Sequence, residues 1–331
     1  MTTLYLDRRD LTLTLEGQAL AVYAGDERRG TVPLHLLERI VMLSAVSLKS
    51  SLLARLADAG VGIVAFGGQF QRKSAFVHGK GHNDGARRVG QYHRYQDAEW
   101  CRAWARRLVR GKVIRQQRLL RRALAERADL RHPLRQALER LSAAGARLRT
   151  EPALELDTLR GIEGAAAAAY FGAYTRLFAP ALGFTGRNRR PPKDPVNAVL
   201  SLAYTLLHHE AVRACHSAGL DPIIGFYHRL DFGRESLASD LIEPLRPAVD
   251  DWVWGRFRAR ELRPEHFTQD GDACLLGKSG RAHFYAAWEA FARPRRRLLR
   301  RFVRALAVEL ARAVPAAPAP ADNPDDAPPP F

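Results

Sequence analysis

The most informative candidate for a functional carboxylate is Glu163, in the segment TLRGIEGAAAAAYFGAY. If this segment is helical, Glu163 shares an apolar face with the residues four, seven, eight and eleven positions further on, namely Ala167, Tyr170, Phe171 and Tyr174. A carboxylate that points toward a core needs a cation, a metal ion or a bound proton. The alternative is a first-turn glutamate that interacts with the helix N-terminus, and the window taken alone slightly favours it.

A second group of acidic and imidazole side chains lies in HRLDFGRESLASDLIEPLRP, which runs from His228 to Pro247. Asp240 and Glu243 are three residues apart and would share a helix face. A capping box would explain the same spacing, but Pro244 fits that alternative poorly. One imidazole with two carboxylates suits Mg²⁺ or Mn²⁺. Because Glu163 is distant in sequence, spacing alone does not show that the three groups converge.

A third element, TGRNRRPPKDPVNAVLS, places several cations around two prolines. Its basic residues are Arg187, Arg189, Arg190 and Lys193. A stiff, basic loop of this kind is well suited to phosphate contacts. A charged surface loop without a ligand explains the pattern equally well.

Composition and charge indicate the class of partner. The chain has 331 residues, a formal net charge of +17, and three cysteines without a CxxC pair, which excludes a disulfide scaffold. Between Arg102 and Arg149 there are fifteen basic and three acidic residues, so the excess charge is concentrated and favours nucleic acid. The N-terminus lacks the apolar region of a signal peptide, and the uncharged stretch Pro195–His209 is too short to span a membrane. We therefore expect a soluble, cytoplasmic protein that has no membrane partner.

The candidate site residues lie in a chain whose first part is predicted to form strands and whose second part is predicted to form helices. Apolar residues alternate with period two in the first 95 residues, which predicts strands, with one helix at about Ser47–Asp58. Turns are predicted at Asp7–Asp10, Glu16–Gln18 and Gly25–Gly30, and the Gly-rich segment at about 78–95 is predicted to be an interdomain linker.

Beyond this segment the pattern is helical. The predicted helices are Trp100–Leu148 with interruptions at Pro133 and Gly145, Leu156–Phe178, Pro195–Ala214 and about Arg295–Ala313. The expected fold is α+β: a small β-rich N-terminal domain (1–95), a larger all-α catalytic domain (96–313), and a Pro/Ala-rich tail (314–331) that is expected to be disordered.

Taken together, the motifs resemble those of the CRISPR-associated protein one family, the integrases that insert spacers into a CRISPR array. The resemblance is carried, in the family's order, by LRGIEGAAAAAYF, RNRRPPKDPVNAVLSLAYTLL, GFYH and SLASDLIEPLRP. The N-terminal run from His35 to Gly68 also fits the family's β domain, so the resemblance extends to about Ala313.

The resemblance implies a specific site and specific partners. It assigns Glu163, His228 and Glu243 as ligands of Mg²⁺ or Mn²⁺, with Asp240 in a supporting catalytic role. It also implies a homodimer formed by the β domain, a complex with CRISPR-associated protein two, and double-stranded DNA substrates, which are the pre-spacer and the CRISPR repeat.

The chemistry expected from this site is attack by a 3′-hydroxyl on a phosphodiester, with the metal polarising the phosphate. Water in place of the hydroxyl would give an endonuclease. Two alternatives stay open: a general metal-dependent DNA-repair nuclease, and a non-catalytic basic scaffold that binds nucleic acid. Strand-joined products separate integrase from nuclease, and the scaffold predicts no metal-dependent turnover.

Overall fold

Two β-sheets form the N-terminal region in a computed structural model, which describes residues 2–67, 73–77, 82–188 and 191–314. The elements are β1 (Thr2–Leu6), β2 (Leu11–Glu16), β3 (Ala19–Ala24), β4 (Glu27–Pro33), β5 (Leu37–Met42), β6 (Val46–Leu48), α1 (Ser50–Asp58), β7 (Gly62–Gly67) and β8 (Lys73–Val77). One sheet has the order β4-β3-β2-β6 and the other β1-β5-β7-β8, in which β1, β5 and β7 are parallel and β8 is antiparallel.

The period-two pattern identifies which side of these strands is buried. Leu13 in β2 and Leu20 in β3 are fully buried and belong to one apolar cluster with Ile40 and Leu56. The predicted turn at Gly25–Gly30 is wrong in its extent, because β4 already begins at Glu27. The charged residues of β4 are exposed to solvent on an edge strand, where they remain hydrated. Their polarity is therefore compatible with a strand as well as with a loop.

The rest of the described chain is mainly helical, and the α+β class expected from the sequence is confirmed. One short hairpin interrupts the helices. The elements are α2 (Ala86–Gln96), α3 (Ala98–Glu126), α4 (Arg131–Thr150), α5 (Leu156–Tyr174), α6 (Pro195–Ala218), α7 (Ser236–Ile242), α8 (Arg246–Arg258), β9 (Phe267–Asp270), β10 (Ala273–Leu276) and α9 (Lys278–Ala311). Within the described ranges, none of these helices combines the length and apolarity that a membrane span requires.

The last helix differs most from its prediction. It begins at Lys278 and continues through Pro294, whereas the sequence placed its start near Arg295. Phe284, Trp288 and Phe291 lie on one buried face of the added turns. The burial of three aromatic side chains outweighs the roughly 3 kcal/mol that an internal proline costs a helix.

The predicted interruptions at Pro133 and Gly145 are also wrong. Pro133 lies in the first turn of α4, where a backbone N–H has no intrahelical partner to lose. Gly145 lies inside α4, where a Cβ would approach Gln117 Nε2 of α3 to 3.3 Å, so the glycine serves helix packing. The actual break between α3 and α4 is the short segment Arg127–Leu130.

The predicted linker is helical over most of its second half. Residues 78–81 and the tail from 315 onward lie outside the described residues. In α2, Gln91 Nε2 donates to the carbonyl oxygens of Asp221 and Ile224 at 2.8 and 2.7 Å. Gly90 packs directly against the backbone of Leu310 in α9. These long-range contacts stabilise a helix whose composition alone suggests coil, and the domain boundary near 95 stays a prediction.

A buried cluster of charges joins the β-rich region to the helices. Arg39 of β5 pairs with Glu210 of α6 and, at 3.1 Å, with Glu289 of α9, and its Nε donates to Thr3 Oγ1. Arg296 also pairs with Glu289, at 2.5 Å. Only 7% of the Arg39 side chain is exposed, so its charge is compensated almost entirely by the protein.

Replacing Arg39 by alanine should lower the free energy of unfolding by about 3–5 kcal/mol, because buried Glu210 loses its close partner and keeps the longer contact with Arg296, at 3.5 Å. Urea unfolding followed by circular dichroism measures this change. The matched control is Arg28→Ala, which removes an exposed pair with Glu16 and should change stability by less than about 1 kcal/mol. Equal effects of the two variants would contradict a role for the buried cluster in holding the two regions together.

Candidate active site

Helix α5 positions Glu163 two turns beyond its start at Leu156. The first-turn alternative considered for Glu163 is therefore wrong, because the helix N-terminus is too far away to interact with it. Tyr170 and Tyr174, on the predicted apolar face, are fully buried, while the Glu163 side chain keeps 19% of its surface exposed. Glu163 thus lies at the edge of the core, open to a cleft.

Asp240 organises the loop that carries His228. One carboxylate oxygen of Asp240 accepts the backbone N–H groups of Phe226 and Tyr227 at 2.8 and 3.0 Å. The other accepts the His228 backbone N–H at 3.0 Å and lies 2.6 Å from His228 Nδ1. Asp240 has no exposed surface, so it positions His228 and does not itself face a substrate.

The capping-box alternative for Asp240 and Glu243 is also wrong. Asp240 lies within α7, and Glu243 is the residue at which α7 ends and a short 3₁₀ turn begins. Pro244 is accommodated in the first turn of this new segment. The three-residue spacing instead places both carboxylates next to His228, whose Nε2 lies 3.9 Å from Glu243 Oε1.

Lys112 of α3 joins the two glutamates, and the sequence reasoning did not single it out. Its ammonium Nζ lies 2.5 Å from Glu163 Oε1 and 2.6 Å from Glu243 Oε2. It is the single lysine among the fifteen basic residues from Arg102 to Arg149, which is the one signal in the sequence that could have drawn attention to it. Glu243 is also paired with Arg246, at 2.8 Å.

These cations keep the buried carboxylate of Glu243 ionised. Burial by itself would raise the pKa of Glu243, but Arg246 and Lys112 outweigh burial and lower this pKa to about 2. Burial would conversely lower the pKa of Lys112, and the two glutamates outweigh it and raise this pKa. Glu243 and Lys112 are therefore both charged at neutral pH.

Tyr227 lies beside Glu163 in the cleft. Its hydroxyl donates to Glu163 Oε2 at 2.5 Å, and burial, followed by the nearby Glu163 charge, raises the pKa of Tyr227. Arg160 donates to the Tyr227 carbonyl oxygen at 3.0 Å. These groups line an open cleft of about 410 Å³, whose lining residues are Arg160, Glu163, Tyr227, His228, Arg229 and Arg234.

The donor set fits a hard divalent cation. Glu163 and Glu243 offer carboxylate oxygens, and His228 has its Nδ1 held by Asp240, which is how metal-binding imidazoles are usually oriented. In the described ranges, no three acidic, histidine or cysteine side chains already converge as a formed metal cluster. The Lys112 ammonium lies between the two glutamates and acts there as a stand-in cation.

The predicted basic loop is only partly described. Arg189 and Arg190 lie outside the described residues. Lys193 is exposed, but Arg187 packs its guanidinium 5.4 Å from the Tyr204 ring centre and donates to the Asn188 carbonyl oxygen at 3.2 Å. Arg187 thus has contacts inside the protein, and DNA binding by all four residues stays a prediction.

Gly225 of the GFYH motif allows the His228 loop to pack against the start of α7. A Cβ at this position would lie 2.6 Å from the carbonyl carbon of Ser236 and 2.8 Å from the Leu237 nitrogen. Gly225→Ala should therefore lower the free energy of unfolding by about 1–3 kcal/mol, the usual effect of overpacking. The matched control, measured in the same urea titration, is Gly255→Ala in α8, where a Cβ meets open space. A loss no larger than that of the control would contradict the close approach.

Comparisons with known proteins show which family the chain resembles in sequence. The family model for CRISPR associated protein Cas1 matches residues 4–290. A relative from Thermodesulfovibrio yellowstonii, CRISPR-associated endonuclease Cas1 1, is 38% identical over 308 residues, which cover 91% of this chain and 94% of the relative.

Solved structures share the fold. A casposase bound to integration product has a TM-score of 0.78 and 19% identity, over 94% of this chain and 91% of the casposase chain. A Cas6-RT-Cas1–Cas2 complex has a TM-score of 0.76 and 23% identity, over 94% of this chain and 34% of the chain compared. The family model matches most of this chain, and a named relative is 38% identical over 91% of it. This chain therefore belongs to the Cas1 family of CRISPR-associated proteins.

Proposed function

We propose that this protein is a metal-dependent DNA integrase of CRISPR adaptation, which also cleaves DNA as an endonuclease. The observation that carries the proposal is that Glu163 and His228 line one cleft together with three arginines, while buried Glu243 lies 3.9 Å from His228 Nε2 and is joined to Glu163 through Lys112. A relative named as an endonuclease and a structural neighbour, a casposase bound to integration product, support the same class of reaction.

Glu163, His228 and Glu243 would hold Mg²⁺ or Mn²⁺, which supplies Lewis-acid stabilisation of charge on the reacting phosphate. The protein's own groups orient this set. Asp240 fixes the His228 ring so that Nε2 faces Glu243, and Tyr227 fixes the Glu163 carboxylate. In the reaction, the 3′-oxygen of the incoming strand forms a bond to phosphorus and loses its proton, while the target strand's own 3′-oxygen leaves and gains one.

Arginines around the cleft are suited to hold the phosphate backbone. Arg160, Arg229 and Arg234 line it, and Arg229 is largely exposed. Further exposed arginines lie along α3 and α4, among them Arg110 and Arg135. Contacts of this kind give affinity with little reading of sequence. Double-stranded DNA, as pre-spacer and repeat, is thus the proposed substrate.

Two protein partners belong to the same proposal. The family resemblance implies a homodimer and a complex with CRISPR-associated protein two, and a Cas1–Cas2 complex is among the solved structures of similar fold. Size-exclusion chromatography with light scattering, with and without the small partner, tests both.

The deciding experiment incubates the protein with a labelled 3′-hydroxyl duplex and a repeat-containing target in Mn²⁺ or Mg²⁺. Strand-joined products longer than the labelled strand are expected, and they should disappear when EDTA removes the metal. Cleavage without joining would favour the repair-nuclease alternative. Salt-sensitive binding with no metal-dependent product would favour the non-catalytic scaffold.

A further inference from the structure

A tight turn next to the candidate site presents one aromatic side chain to solvent. The Arg234 N–H donates to the Asp231 carbonyl oxygen at 3.1 Å, which closes a four-residue turn. Gly233, the third residue of the turn, has φ +69°, a conformation that glycine adopts without strain. Phe232 is the second residue of the turn, and its side chain is fully exposed, at 105% of the reference area.

The turn is fixed relative to the candidate active site. At one end, the His228 backbone and ring are held by Asp240, and the Arg229 guanidinium donates to Asp157 at 3.0 Å. At the other end, Ser236 Oγ donates to the Arg229 carbonyl oxygen at 3.0 Å and closes the base of the loop. Phe232 is therefore displayed from an anchored loop.

The reach of Phe232 from the site can be bounded. Phe232 is four positions after His228, so their Cα atoms are at most about 14 Å apart. Successive nucleotides rise about 3.4 Å along one strand. The Phe232 Cα therefore lies within roughly four nucleotide steps of the His228 Cα, which places its ring near a phosphodiester bound beside His228.

Charge indicates what this ring contacts. Single exposed apolar residues are ordinary, but Phe232 lies beside a cleft to which Arg229 and Arg234 contribute, with Asp231 as the acidic residue of the same turn. Aromatic side chains between cations are the usual platform for unpaired nucleic-acid bases. A second copy of this chain would bring its own positive charge, since the net charge is +17. DNA is thus favoured over self-association.

We propose that Phe232 stacks on an unpaired DNA base close to the reacting phosphodiester and so positions the strand end in the cleft. This inference rests on the proposed function, because it takes DNA as the substrate. It adds a contact with a base, whereas the arginines contact phosphates. The Phe232 side chain is exposed in the free protein, and stacking on a base in the DNA complex would bury it.

The test compares Phe232→Ala and Phe232→Trp in binding to a duplex with a 3′ single-stranded overhang. Phe232→Ala should weaken binding by about 5- to 150-fold, the range for loss of one stacked base, while Phe232→Trp should keep the affinity. Binding to a blunt duplex should change little. The salt dependence should also be unchanged, because no charge is lost, whereas Arg229→Ala should reduce its slope. Leu36→Ala, an exposed apolar change in the β-rich region, is the matched control.

Photocrosslinking locates the contact. With 5-iodouracil placed at successive positions of the overhang, the wild-type protein should crosslink within about four nucleotides of the joined end, and Phe232→Ala should lose this crosslink. Equal overhang affinity of wild type and Phe232→Ala, or a crosslink that persists, would overturn the inference. A change in oligomeric state without a change in overhang affinity would assign Phe232 to a protein contact. Strand joining by the wild type is recorded in parallel, so that failure of the proposed function is seen separately.

Discussion

Glu163→Gln should strongly slow strand joining while leaving the fold intact. The substitution keeps the shape of the side chain but removes one anionic oxygen from the set around Lys112. We expect the joining rate to fall by about 10²–10³-fold, the scale for loss of one preorganised charge-stabilising group. Single-turnover assays with the labelled 3′-hydroxyl duplex measure the rate, and His228→Ala and Glu243→Gln should show losses of the same order.

Stability separates a chemical defect from a folding defect in these variants. Glu243 is more buried than Glu163 and pairs with two cations, so Glu243→Gln should also lower the free energy of unfolding, by about 3–5 kcal/mol. Glu163→Gln should cause a smaller loss, because its side chain is partly exposed. Glu265→Gln, an exposed glutamate far along the chain, is the matched control. Normal joining by all three site variants would show that the ligand assignment is wrong.

Lys112→Met should have opposite effects on stability and on metal binding. Without the ammonium, Glu163 and Glu243 repel each other across a buried site, so the metal-free protein should lose about 3–5 kcal/mol of stability. Mn²⁺ should bind at least about tenfold more tightly, since like charges about 4 Å apart repel by about 4 kcal/mol at an effective dielectric of 20. Electron paramagnetic resonance of free Mn²⁺ measures the affinity, independently of any activity.

Adding Mn²⁺ should therefore restore more thermal stability to Lys112→Met than to the wild type. Lys49→Met, which removes an exposed lysine before α1, is the matched control and should change neither quantity. Unchanged or weaker Mn²⁺ binding by Lys112→Met would mean that the ammonium and the metal do not share the space between the glutamates. In that case Lys112 would be a structural counter-ion only.

The N-terminal strands and the main helices could be predicted because their signals are local. Period-two leucines in β2 and β3, and three- and four-residue spacings around Glu163, report directly on which side of each element is buried. Predictions failed where distant contacts outweighed local composition. The polar segment of α2 is helical because it packs on α9, and α9 runs through Pro294 because its aromatic face is buried.

The sequence by itself supplied the candidate groups. It marked Glu163, His228, Asp240 and Glu243 as candidates, the family resemblance implied that three of them bind metal, and the apolar face around Glu163 required that this carboxylate have a partner. Only the tertiary structure decided which partner. Lys112 is 51 residues from Glu163 and 131 from Glu243, and it reaches both because α3 packs beside α5 and the end of α7. Burial requires compensation of a charge, but chain connectivity over such distances does not fix which cation provides it. That choice depends on how the helices pack.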